Sequence, residues 1–475
     1  MGIFITFGFA AKLELMNSFF HFQGFTPWVF LVDFGLIFGL MLVGKLIRVK
    51  IKIVQRLFIP PSLIAGLLGL AMGPNGLGWL PFSNNLSSYA AVLIALVFST
   101  LPFSAQKSSV KEVVTRVGPM WVFAQIGMLL QWGIMGLIGL YIFKSIWPEL
   151  NSAFGAMLST GFYGGHGTAA AIGTAYENLP GGLKWDDAMT LGMTTATVGV
   201  VVAIIGGLFI IKWGTRSKQT EYITDFNELP NELRTGLIPK GKRCATGEIT
   251  TSSISIEHLT LHFAVVFVVA FLGYAMSVAV KNWCCDLEPP YNGLELPVFS
   301  CAFIVGLLVK KLFDAAKFSD YVNCETIQRE GSFFTDLLVT CGVASIKLSV
   351  LSSYWFQLLL LIIVGVIVVF AITFYFGRKL SPNHWFERSI FAWGWWTGTM
   401  AMGIALERIV DPEMKSKTMD DYALGYLPIA PVEIILITLV PIAFSAGWGG
   451  WLMWACILLS ALLLMIAWRM KWWKK

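Results

Sequence analysis

The chain has 475 residues, of which 56% are hydrophobic and 13% charged, with a formal net charge of +6. Soluble domains carry roughly 25% charged residues, so there is too little polar surface here to cover a water-facing globule. A soluble enzyme or binding domain is thereby excluded, and no nucleic-acid partner is needed to explain the positive balance, because basic loops beside anionic lipid account for it.

A membrane crossing takes about 20 apolar residues, and such runs recur from Trp28 to Trp468. They lack the period-2 alternation of a membrane β-barrel, so the expected class is an all-α polytopic membrane protein. In chain order, residues 1–27 read as an extracytoplasmic N-terminal segment, retained because it has neither a basic leading region nor a small-residue cleavage site. Crossings follow at 28–46, 58–78, 90–104, 118–143 and 188–213, then a polar cytoplasmic linker at 214–256. The second half gives 257–280, 295–312, 332–351, 355–378 and 422–447, and residues 448–475 add a final helix, 450–469, with a basic tail. That makes eleven transmembrane helices. Two further stretches, Gly-dense 151–175 and Trp-dense 388–406, suit re-entrant hairpins, since irregular backbone at membrane depth must be buried in protein or line a cavity.

Lysine and arginine gather on cytoplasmic connections, and with this layout 29 of the 34 basic residues fall on alternate loops. The bias places the N-terminus outside and the C-terminus inside. Each half, 28–213 and 257–447, runs four helices, a hairpin and another helix. Ile64–Leu68 is echoed by Ile304–Leu308, and Gly167–Ala171 by Gly398–Met402, at the similar offsets of 240 and 231. An odd number of crossings per half inverts the second against the first, the plan of inverted-topology repeats in secondary transporters.

The run Ser159-Thr160-Gly161-Phe162-Tyr163-Gly164-Gly165-His166-Gly167-Thr168 carries the most concentrated chemistry. Glycines permit a sharp turn and close approach of a ligand. A half-helix starting near Gly167 would point unpaired N–H groups and its positive dipole end into the protein, which suits a carboxylate. Gly164, Gly165, His166, Gly167 and Thr168, with Thr397, Gly398 and Thr399 of the second hairpin, are the candidate substrate-binding residues. Ser159, Thr160 and the intramembrane carboxylate Glu433 are the candidate ion-binding residues. Glycines that merely let helices pack closely are the competing reading.

The chain here resembles the bacterial sodium:glutamate symporter family. The likeness rests on Gly164-Gly165-His166-Gly167-Thr168, on Glu295-Leu296-Pro297 leading into Val305-Gly306, and on the two-half layout from about residue 28 to 447. It implies electrogenic, Na⁺-coupled symport of glutamate across the bacterial cytoplasmic (inner) membrane, with two re-entrant loops meeting at the substrate site and an elevator-type movement in a homodimer. Trp393-Gly394-Trp395-Trp396-Thr397-Gly398-Thr399-Met400 is bulkier than the family pattern, and the last helix is additional. Coupling to H⁺ in place of Na⁺, another small carboxylate as substrate, and an ion channel are the alternatives.

Other intramembrane polar groups divide by depth. Lys347, late in the 332–351 run, would either neutralise an acidic substrate or snorkel to the interface. Asp33 and Asp336 lie near predicted ends and are expected in interfacial solvent; Gln125 and Gln131 are expected to bridge helices. His166 is either a packed hydrogen-bonding group or a substrate contact. Most of the 19 tryptophans read as interface belts. The seven cysteines predict no disulfide framework, and Cys284-Cys285 reads as loop. His258 and His262, four apart without a third ligand, read as interfacial histidines, so no metal or other cofactor is expected beyond the coupling ion. Gly236–Arg243 approaches a P-loop, but Arg243 stands where the metal-binding Ser or Thr belongs and no strand precedes it.

Overall fold

The computed structural model describes residues 26–57, 59–104, 110–222, 235–242, 247–284, 296–381, 383–411, 415–426 and 428–473. Residues 1–25 of the expected N-terminal segment, Cys285, Glu295 and linker residues 223–234 and 243–246 lie outside them. Among the described residues every regular element is a helix. Seven helices are long and apolar enough to cross a membrane, which makes this a multi-pass membrane protein.

The first half comprises α1 (Pro27–Lys50), the short α2 (Lys52–Arg56), α3 (Pro61–Met72), α4 (Leu86–Ser104) and α5 (Val110–Leu137), which runs on through a π-helical turn (Ile138–Phe143) into α6 (Lys144–Ile146). Next come α7 (Ala156–Phe162), α8 (Gly165–Glu177) and the 29-residue α9 (Ala188–Arg216). The second half comprises α10 (His258–Trp283), α11 (Val298–Ala315), α12 (Cys324–Ala344), α13 (Leu348–Leu380), α14 (Trp385–Thr397), α15 (Met400–Val410), α16 (Thr418–Gly425) and α17 (Ile429–Ser445). A last helix, α18 (Gly449–Arg469), packs along α5.

Local chemistry sets the helix starts. Thr26 accepts from the Val29 N–H with Pro27 at the first helical position, Pro61 opens α3, and the Glu257 and Asn323 side chains cap α10 and α12. Four expected crossings coincide with helices that are short or carry charge: α3 has 12 residues, α11 ends in Lys310, Lys311 and Asp314, α12 holds Glu325, Arg329, Glu330 and Asp336, and the 422–447 run is broken into α16 and the 17-residue α17.

Two groups of helices emerge from the packing. In one, α4 lies along α12, α3 packs on α12 while α11 packs on α4, and α1 covers α3 as α10 covers α11. The exchange is mirrored in detail: a methyl on Gly66 would sit 2.7 Å from the Val343 Cβ, and one on Gly306 would sit 2.8 Å from the Pro102 ring. The other group gathers α5, α7–α9 and α13–α18. Helices α1, α10, α13 and α18 bury no more than a third of their apolar windows, and leave Phe30, Leu42, Phe271, Ile367 and Leu458 facing outward as lipid demands.

Two expectations are corrected. Asp33 is not in interfacial solvent: it is 1% exposed and accepts from the Ser83 N–H (2.9 Å), the Ser83 hydroxyl and Tyr89 Oη (3.0 Å), pinning the loop before α4. Lys347 is not within a helix. It is an exposed, extended residue between α12 and α13, because the chain leaves α12 at Ala344. Its neighbours are Glu177 and Asp186, and Asp186 is in turn held below the usual carboxylate range by its 2.8 Å contact with Lys184. Asp336 is exposed, and Cys284, Cys301, Cys324, Cys341 and Cys456 are free thiols.

His258 and His262 tie the linker to α12. His258 Nδ1 accepts from the Thr250 N–H (3.2 Å) while its Nε2 meets Thr326 Oγ1 (3.0 Å); His262 Nδ1 donates to the His258 carbonyl (2.7 Å) and its Nε2 accepts from the Asn323 N–H (2.8 Å). The segment resembling a P-loop is held differently, by Lys45 Nζ donating to the Thr235 and Gly236 carbonyls.

Packing of the first group gives a differential prediction. Gly66→Leu, overpacked against Val343, is expected to lower stability by about 1–3 kcal/mol, whereas Gly35→Leu, on an open face of α1 with nothing within 4 Å, should stay within about 0.5 kcal/mol of wild type. Unfolding curves of the detergent-purified variants measure both, and equal midpoints would refute the packing described.

Candidate functional site

Helix α9 is the spine of the site. Its glycines Gly192, Gly199 and Gly206 recur every seven residues, two helical turns, and Gly214 follows one residue late. Going up α9, Met189 abuts Gly173, a methyl on Gly192 would lie 3.2 Å from the Ala169 Cβ, and Thr195 and Ala196 press on Gly161. At Gly199 the contacts change hands: Phe162 lies on one side and the Thr397 carbonyl on the other. Beyond it Gly206 faces the Trp393 ring, which a methyl there would meet at 2.7 Å, Gly207 faces Leu406, and Gly214 faces Phe386. The α7–α8 pair therefore runs from its base to its tip along the first half of α9, and the α14–α15 pair runs from tip to base along the second. At 1.5 Å per residue the two stretches span about 15 Å and about 22 Å, so neither pair reaches the full length of α9.

The two tips touch. Gly165, the first residue of α8, takes φ +63°, which side-chain-bearing residues rarely adopt, and a methyl on it would lie 3.2 Å from the Gly398 carbonyl oxygen and 3.4 Å from Thr399 Cγ2. The Tyr163 ring packs at 5.1 Å, tilted by 45°, against Trp395 across the same junction. Gln131 of α5 locks it from the side: its Nε2 donates to the Trp396 carbonyl (3.3 Å), and its own carbonyl accepts from Ser159 Oγ (2.9 Å). At the base of the first pair, the π turn of α5 brings Gly139 backbone to backbone with Gly155.

Individual candidates fall into place as follows. Gly164, Gly165, Gly167 and Thr168 form the first tip, Thr168 folding back over Gly164. The half-helix begins at Gly165, two residues before the expected Gly167. Thr397, Gly398 and Thr399 form the second tip, and Thr397 Oγ1 donates to the Trp393 carbonyl (2.6 Å). His166 is 3% exposed and its Nε2 meets Thr197 Oγ1 at 3.2 Å, which makes it a hydrogen-bonding contact to α9. Thr160 Oγ1 donates one turn back to the Ala156 carbonyl (3.0 Å). Glu433 accepts from Tyr426 Oη at 2.8 Å, and the buried hydroxyls of Tyr163 and Tyr422 have no hydrogen-bond partner among the described residues.

Gly167 and Gly398, paired by their letters, are not equivalent, since Gly167 is helical and Gly398 is in the turn. Nor are the tryptophans of the second pair an interface belt: Trp393, Trp395 and Trp396 are at most 5% exposed. They fit because glycines face them, Gly206 against Trp393 and Gly127 against Trp396.

Residues 32–381 match the family described as sodium/glutamate symporter. The chain belongs to the sodium/glutamate symporter family. No curated protein matches it. The family match takes in α7, α8 and α9 and stops at the end of α13, so the tryptophan-rich pair and α16–α18 lie beyond it. Membership makes the chain a transporter of a symporter family.

Sequence reading missed the glycines of α9; Gln131 was expected to bridge helices, and the helices it joins are α5, α7 and α14. The seven-residue spacing of Gly192, Gly199 and Gly206 was the available signal. The junction yields a prediction at Gly165: Gly165→Val should insert and purify as wild type while losing about 1–2 kcal/mol or more to the left-handed backbone, and should abolish uptake. Unaltered uptake kinetics would refute the placement of the tip.

Proposed function

We propose that the chain carries out Na⁺-coupled uptake of glutamate, or of a related acidic amino acid, across the bacterial cytoplasmic membrane by alternating access. The observation that carries this reading is the meeting of two broken helical pairs, entering from opposite ends of α9, at Gly165 and Gly398. In this proposal the pairs are re-entrant hairpins of two inverted repeats, 28–213 and 257–447, within eleven crossings, with the N-terminus outside and the C-terminus inside. The exchanged contacts Gly66 with Val343 and Gly306 with Pro102 support the repeat.

The substrate carboxylate is met at the tips by the free N–H groups and positive dipole ends of α8 and α15, together with Thr168 and Thr399. Each hairpin closes the path toward its own side. At the tips themselves only the Gly398 carbonyl and the Thr399 methyl come against Gly165, with Tyr163 on Trp395 and Gln131 on the Trp396 carbonyl behind them, and the substrate stabilises the state in which the tips part around it. Glu433, with Tyr426 donating to it and with Tyr426, Tyr163 and Tyr422 all packed on Trp395, is proposed as an ion ligand near the first tip, with Ser159 and Thr160 supplying hydroxyl oxygens. The helix group holding α5, α7–α9 and α13–α17 moves against the α4–α12 group, as an elevator, in a homodimer surrounded by lipid.

Proteoliposomes loaded with the purified protein test the reading. Labelled glutamate should accumulate against its gradient under an inward Na⁺ gradient and not without one. Accumulation of a different carboxylate alone would remove glutamate as substrate, and accumulation under a proton gradient alone would replace Na⁺ as the coupling ion. Conduction that never saturates would turn the reading to a channel.

A further inference from the structure

Where the chain leaves α9, it lays Glu221 against the base of the second helical pair. The Glu221 N–H donates to Glu387 Oε1 at 2.8 Å, and a Glu221 carboxylate oxygen lies 2.7 Å from His384 Nδ1. One donor atom from each of Glu221, His384 and Glu387 lies within 4.8 Å of the other two. Glu387 is fully buried in the first turn of α14, and with Oε1 occupied by the backbone its Oε2 has no hydrogen-bond partner. A buried carboxylate oxygen left without a partner is unfavourable, and nothing in the transport reading uses it.

We propose that Glu221, His384 and Glu387 form a binding site for a divalent transition-metal ion of the Zn²⁺ class. One imidazole nitrogen and two carboxylate oxygens are a donor set that such ions take at about 2.0–2.2 Å, with water in the fourth position. Tetrahedral donors at that radius stand roughly 3.4 Å apart, so the three groups need only adjust their side-chain torsions. Glu387 Oε1, held by the Glu221 N–H, fixes the carboxylate so that Oε2 is the ligand atom, an outer contact of the kind that orients metal ligands. Tyr222, its ring 5.5 Å from that of His384, covers the imidazole. His384 itself sits at φ +53° as the residue preceding α14. The ion replaces the Glu221–His384 contact with three bonds and ties the segment after α9 to α14. The site lies at the base of the pair, away from the tips at Gly165 and Gly398, and is independent of what the protein transports.

Titration calorimetry of the full-length, detergent-purified, metal-stripped protein with Zn²⁺ tests this. Wild type is expected to bind one Zn²⁺ per chain that Glu387→Gln and His384→Asn lose, and Glu221→Gln should weaken binding at least tenfold. Asparagine tolerates the left-handed backbone at 384, and Glu221 is exposed, so at least the last variant folds and keeps the comparison decisive. Co²⁺ in place of Zn²⁺ should give visible absorption bands of a low-symmetry site that vanish in the same variants. Absence of Zn²⁺ binding by wild type, or binding that is the same in wild type and Glu221→Gln, would overturn the assignment.

Discussion

Everything in the second helix group depends on how closely other backbones can come to α9. Between helices in lipid there is no hydrophobic driving force, because lipid tails are as apolar as leucine, so association rests on close contact and on polar bonds across the gap. Gly192, Gly199, Gly206 and Gly214 withhold their side chains on one side of α9, and each admits a different neighbour: Ala169, the Thr397 carbonyl, Trp393 and Phe386. Two short helical pairs that could not cross a bilayer alone are thus docked end to end on one long helix. Threonine hydroxyls on α9 supply the polar bonds, Thr195 to the Met157 carbonyl at 2.8 Å and Thr197 to His166 at 3.2 Å.

The two pairs solve the same packing problem with opposite volumes. The first is built of glycine, alanine and hydroxyl residues, so its own chain is thin where it meets α9. The second is built of tryptophan, and the space comes from its partners, Gly206 on α9 and Gly127 on α5. Trp393 also donates from Nε1 to the Ala203 carbonyl at 3.1 Å, so the bulk is fixed in orientation. A further contrast lies at the bases. The second pair is anchored by charge: Arg388 pairs with Asp421 at 2.6 Å, Asp411 accepts from the Lys415 and Ser416 N–H groups, and Ser416 Oγ donates to Glu407. At the first pair the anchor is the backbone contact of Gly139 with Gly155.

Helix class and the interruptions at both pairs were legible because apolar length and glycine content act locally, and lipid forbids most alternatives. What escaped was tertiary. Asp33 sits seven residues into α1, near the lipid interface by sequence position alone, yet Ser83 and Tyr89 come from fifty residues away to satisfy it. The break that frees Lys347 was hidden because Ile346 continues the apolar pattern; Ser345 N–H still makes the helical bond to the Cys341 carbonyl, and the helix ends where the Ile346 N–H turns instead to the Val343 carbonyl and Lys347 becomes extended. The hairpin reading of 388–406 did not say where Trp395 and Trp396 pack, because composition does not say which tryptophans face glycine. Gln131 was legible as a bridge, since an amide at that depth must find partners, but its partner Trp396 lies 265 residues on.

Under the proposed reading, the tips recognise an anion without a basic side chain. Of the eleven candidate residues only His166 can carry positive charge, and its contact is with Thr197. A lysine buried at this depth would need a permanent counter-charge in each state of the cycle, or would lose its proton. Helix N-termini carry only about half a charge each, require no counter-ion when the site is empty, and are fixed in direction by the helices behind them. Two such ends facing each other at Gly165 and Thr399 give an attraction that exists only while the tips are together with the anion between them. Lys347, exposed beside Glu177 and Asp186 and outside the helices, is solvated and shared between two carboxylates, so it is not the buried cation that such a site does without.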